Sequence, residues 1–99
     1  MPKFRLSRLA RLDLIEIADY TQDTWGSEQA ERYLESFEDC LKLLVEAPEM
    51  GRKCSLIGPG IRRIEHRKHV VFYRVDSAGI FVTRILHQRM LPKLRKFEE

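Results

Sequence analysis

The chain has 99 residues, 43% hydrophobic and 33% charged, which is too apolar for a disordered segment and suits one packed domain over residues 1–99. Its uncharged runs fall far short of the ~20 apolar residues of a membrane span. No apolar signal-peptide core follows Met1-Pro2-Lys3-Phe4-Arg5, so a cytoplasmic protein without membrane association is expected.

Phe4-Arg5-Leu6 alternates as a short strand, and Ser7 suits a helix N-cap. From Arg8 to about Thr24, Leu14, Ile17, Ala18, Thr21 and Trp25 form an apolar stripe at helical spacing. Gly26 ends this helix and Ser27 is positioned to cap the next. The second helix runs from about Glu28 to Glu46, with Ala30, Tyr33, Leu34, Phe37, Leu41 and Leu44 on one face. Pro48 stops it. So short a connection forces an antiparallel helical hairpin. Pro48–Gly51 and Gly58–Gly60 bracket a stretch without periodicity, read as a loop. Ile61–Glu65, Val70–Asp76 and Ile80–His87 are rich in β-branched and aromatic residues, with a tight turn at Asp76-Ser77-Ala78-Gly79. The predicted fold is α+β, β-α-α-β-β-β, with the helical hairpin on one face of a small, mainly antiparallel sheet. The other face is left to the tail, a partner or water. Residues 91–99 read as a loosely held tail.

Charge divides unevenly along this order. Residues 1–50 carry 6 Lys/Arg and 11 Asp/Glu, a net of −5; residues 51–99 carry 12 and 4, a net of +8. The second half is therefore expected to meet an anionic partner. Arg62, Arg63, Arg74 and Arg84 fall on strands. His87, Arg89, Lys93, Arg95 and Lys96 follow on the last strand and tail. Guanidinium forks on an open sheet face suit phosphate or carboxylate oxygens. Arg84, between Val82 and Leu86, implies that its face is open or paired. On that reading, Arg84→Ala or His87→Ala leaves folding nearly intact.

Catalytic patterns are sparse. The serines lie in no nucleophile elbow, and Gly58-Pro59-Gly60 is too short for a phosphate cradle. Most carboxylates read as solvated helix faces. His66, His69 and His87 have no acidic or thiol companion at metal spacing, and Cys40 and Cys54 read as free thiols, so neither metal nor cofactor is expected. One sharper option exists: His87 as general acid or base on an RNA phosphodiester, with Arg84 and Arg62 holding the phosphate.

Several strings in order resemble the ParE branch of the RelE/ParE toxin superfamily. They are Phe4-Arg-Leu-Ser7, Asp13-Leu-x-x-Ile17-x-x-Tyr20, Trp25-Gly26, Gln29-Ala30-Glu-Arg-Tyr33, and Pro48-Glu-Met-Gly51-Arg52. Gly60-Ile-Arg62-Arg63, His69-Val-Val-Phe72-Tyr73-Arg74 and Ile85-Leu-His87-Gln-Arg89-Met90 complete the set. The resemblance implies a bacterial toxin that poisons DNA gyrase without catalysis. It further implies a ParD-like antitoxin whose C-terminal segment folds onto it in a hetero-oligomer. Trp25 and the apolar grooves of the helical hairpin would dock that segment, and the basic residues Arg62, Arg63, Arg74, Arg84, His87 and Arg89 would bind target or antitoxin. The alternative within the superfamily is a RelE-like, ribosome-dependent mRNA interferase using His87, Arg84 and Arg62, although no tyrosine follows His87 as such sites favour.

Overall fold

The structure, a computed structural model, describes residues 3–54 and 57–93. In chain order the elements are β1 (Lys3–Leu6), α1 (Arg8–Trp25), α2 (Ser27–Glu46), β2 (Arg52–Lys53), β3 (Arg62–His66), β4 (His69–Asp76) and β5 (Gly79–His87). Short 3-10 turns occupy Pro48–Met50 and Gln88–Lys93. The strands form one sheet in the order β1-β5-β4-β3-β2. β1 runs parallel to β5 and every other pair is antiparallel. The connection from β1 to β5 runs through the helical hairpin and then β2, β3 and β4, which gives the long crossover that parallel pairing needs.

The ends of the helices follow local chemistry. Ser7 caps α1, its Oγ accepting the Ala10 N–H at 2.9 Å while its hydroxyl donates to Thr83 O at 2.7 Å. Ser27 does not cap α2 as expected. It is the first residue inside the helix, and Gly26, at φ 96°, makes the reversal. With one residue between the helices, only a side chain without Cβ takes that backbone cheaply.

The main core lies between helices and sheet. α1 contributes Ala10 and Ile17, α2 contributes Phe37, Leu41 and Leu44, and the sheet contributes Val71, Tyr73, Ile80, Val82 and Ile85. Leu41 is 2% exposed, so Leu41→Ala is expected to cost about 2–5 kcal/mol in chemical denaturation. A negligible loss would mean that α2 presents another face. A second, smaller cluster on the helix-free face joins Ile61, Val70, Phe72 and Leu86, with Cys54 and Ile57 packed on it. That face is therefore partly roofed by the chain between β2 and β3.

The segment read as a loop contains strand β2, whose two residues are too few to show a period. What builds it is tertiary. The Tyr73 hydroxyl donates to Pro48 O at 2.7 Å and accepts the Gly51 N–H at 2.9 Å. A Cβ at Gly51 would collide with that hydroxyl. Positions 94–99, including Arg95 and Lys96 of the expected tail, lie outside the described residues, as does Ser55.

Candidate functional site

An apolar groove of about 420 Å3 opens between β1 and the helical hairpin, lined chiefly by Phe4, Leu6, Leu14, Ile15, Leu34 and Phe37. Arg11 and Glu38 are the charged residues on its wall. Ile15 is exposed on its wall, and elsewhere on the hairpin α1 leaves Leu12 and Tyr20 exposed and α2 leaves Leu43 exposed. The contiguous apolar lining of the groove, rather than the scattered exposed residues, is the kind of surface a partner covers. Trp25, the last residue of α1, is 70% exposed. It continues the buried stripe by one turn but does not line the groove.

The basic residues divide between places. Arg52 lies directly opposite Arg63, and Lys53 opposite Arg62, in the β2–β3 ladder. Like charges so placed oppose pairing. Only Glu65 answers them among the described ion pairs, at 2.9 Å from Arg52 and 2.8 Å from Arg63. Burial alone would raise the Glu65 carboxyl; the Arg63 hydrogen bond and the two arginine charges outweigh it and hold the pKa below the usual carboxylate value.

The expected single open face of arginines is not what forms. Arg63 lies over the Phe72 ring at 5.9 Å, and Arg74 over Phe81 at 5.3 Å, on the helix-free side. Arg5 shares Phe81 at 5.4 Å and pairs with Asp76. Arg62, one position along from Arg63, takes the opposite side by strand alternation, and its Nη1 donates to Gly51 O at 2.6 Å.

Arg84 is not on an open face. Its Nε donates to Asp13 Oδ2 at 2.8 Å and its Nη2 to Asp13 Oδ1 at 3.0 Å. The same carboxylate accepts the Ile85 N–H at 2.9 Å. The side chains are only 21% and 9% exposed. The Asp13 hydrogen bond raises the Arg84 pKa against the opposing pull of burial. Two features cause this geometry. The β4–β5 register slips at Phe72/Tyr73, re-aiming Arg84. Pairing of β1 with β5 stops at Val82, leaving the Ile85 N–H for α1 to satisfy. Asp13 was hidden among the helical carboxylates; besides heading one of the family strings, it sits in register with Ala10 and Ile17 on the buried stripe. Arg84→Ala therefore removes a structural tie, contrary to the sequence expectation.

His87 lies opposite His69, whereas Arg62 lies opposite Tyr73. Those positions are separated by about 13 Å along β4. With Arg84 held by Asp13, the structure does not bring Arg62, Arg84 and His87 together as a phosphate site. His87 Nδ1 accepts the Arg89 N–H at 3.1 Å, and Arg89 itself is exposed.

Comparison with known proteins agrees with this architecture. A family model described as the ParE toxin of the type II toxin–antitoxin system parDE matches residues 4–92. Toxin ParE1 of Mycobacterium tuberculosis (strain CDC 1551 / Oshkosh) is 43% identical over 89 residues, covering 89% of this chain and 91% of that protein. Toxin ParE1 of Caulobacter vibrioides is 39% identical over 90 residues, covering 91% and 93%. A solved structure titled "Chromosomal ParDE TA system from P. aeruginosa" superposes with a TM-score of 0.73 at 25% identity, covering 88% of this chain and 96% of that one. With the two-helix, five-strand fold matched along almost its whole length, this chain belongs to the ParE toxin family of type II toxin–antitoxin systems.

Proposed function

We propose that this toxin acts by binding DNA gyrase, without catalysis, and that a ParD-like antitoxin neutralises it by laying an apolar segment in the groove between β1 and the helical hairpin. The groove carries the reading. It is apolar along its length and open to solvent, it belongs to the most acidic half of the chain, and a folded-on helix or strand is the occupant such a surface fits. The cations Arg52, Lys53, Arg62, Arg63 and Arg74, with Arg89 beyond β5, supply positive charge on both sides of the basic half of the sheet for the gyrase–DNA target. Trp25, exposed at the tip of the helical hairpin, is an anchor for either partner. Non-enzymatic action is supported by the separation of Arg62 from His87 and by the engagement of Arg84 with Asp13. The same geometry speaks against mRNA cleavage through those residues.

The test is supercoiling by purified gyrase with an excess of this protein. Inhibition or trapped cleavage is expected, and restoration on adding the antitoxin encoded with it. Unimpaired supercoiling alongside cut ribosome-bound transcripts would instead establish the mRNA interferase.

A further inference from the structure

Three histidines stand in one cross-strand row. In the ladder, His66 faces His69 across the β3–β4 hairpin, and His69 faces His87 across β4–β5. The His69 and His87 rings meet edge to face at 5.2 Å. α2 closes over the row. Phe37 contacts the His66 ring at 4.6 Å and the His69 ring at 5.7 Å, and Tyr33 stacks on His66 at 6.3 Å.

The hydrogen bonds call for neutral rings. Tyr33 Oη lies 2.8 Å from His69 Nδ1. Its oxygen also accepts the Lys68 N–H, so the His69 tautomer that satisfies both groups leaves Nδ1 bare to accept the phenol proton. His87 Nδ1 accepts from Arg89 N. Protonation of either ring abolishes that acceptor. His66 differs. Ser36 donates its hydroxyl proton to Tyr33 O at 2.6 Å, so His66 Nε2, at 2.8 Å, donates to Ser36 Oγ. That bond survives protonation, and it also leaves Ser36 without a base.

We infer that His69, at the centre of this row, is an acid-sensitive latch between α2 and the β3–β4 hairpin, closed while its ring is neutral near pH 7 and forced open by protonation. The groups around His69 are Tyr33 from α2, His66 from β3, His87 from β5 and Asp13 from α1, with Arg67 of the turn beside His66 and Tyr33 and the Lys68 backbone bonded to Tyr33. Only Asp13 favours a positive ring, and it is engaged by Arg84. A second proton on a neighbouring ring therefore meets a like charge directly across the sheet. Burial first, then His87 and His66, depress the His69 pKa to about 4. Burial and then Arg67 lower that of His66. A histidine depressed in the folded state contributes stability above its unfolded pKa of 6.5, and that contribution is lost as pH falls from 6.5 toward 4. Phe37 touches the histidines on one side and lines the groove on the other, so opening of the latch also disturbs the groove wall.

The experiment is an NMR titration of the imidazole protons in the full chain, paired with amide hydrogen exchange from pH 7 to 4.5. His69 is expected to titrate near 4. Exchange, corrected for its intrinsic pH dependence, is expected to rise at least about tenfold in the hairpin and the first half of α2, ahead of α1 and β5. His69→Gln keeps an acceptor for Tyr33 and should flatten that rise; should the variant fail to fold, the wild-type titration decides alone. An unshifted His69, equal acceleration across all amides, or an undiminished rise in a folded His69→Gln would each overturn the latch.

Discussion

Asp13→Ala is expected to lower the unfolding free energy by about 3–5 kcal/mol, the range for removing one partner of a buried, hydrogen-bonded ion pair. The substitution strands two things at once. The Arg84 guanidinium, bidentate on Asp13 at 2.8 and 3.0 Å, loses its counter-charge. The Ile85 N–H loses its acceptor at a sheet edge that β1 no longer covers. Urea denaturation measures the loss. The pairing account makes a second demand. Adding Arg84→Met to Asp13→Ala should recover part of the loss, because the stranded charge is gone, while the unmatched N–H keeps recovery incomplete. A double variant as unstable as the sum of the two singles would show that Asp13 and Arg84 act independently.

Gly79→Val is expected to be of similar size, about 4 kcal/mol or more, and to release β1 from the sheet. Gly79 has φ 132°, and a Cβ there would be driven into the Lys3 backbone. Lys3 pairs with Gly79 and its N–H donates to Ala78 O at 2.9 Å. β-branching adds strain at a positive φ that L residues rarely adopt. Denaturation together with loss of exchange protection at β1 gives the readout. Since Phe4 and Leu6 line the groove, a surviving variant should also bind its antitoxin poorly. Intact β1 protection would mean that the strand does not pack on Gly79.

Much of this was legible in the residues. The helix stripes, the Ser7 cap and the β4–β5 hairpin rest on local periodicity and turn chemistry, which a chain carries wherever it folds. What escaped were features whose partners lie far apart in sequence. Asp13 and Arg84 are 71 positions apart; Asp13 alone looked like a solvated helix carboxylate, and Arg84 implied only a sheet face that is open or paired. β2 exists because Tyr73 fastens the chain leaving α2 at Pro48 and Gly51. The histidine row gives no metal or triad spacing, because its members come from three strands in register.

The sequence by itself determined the two helices, the four strands other than β2, their order and the charge contrast between acidic helical half and basic strand half. Each is a property of neighbours along the chain. Only the tertiary structure decided which charges remain available. Strand alternation separates Arg62 from Arg63, the register slip in β5 turns Arg84 onto α1, and cross-strand pairing lines up His66, His69 and His87 beneath α2. A charge in sequence is only a count, and its energy depends on its distance from the next charge and from water, which folding alone sets.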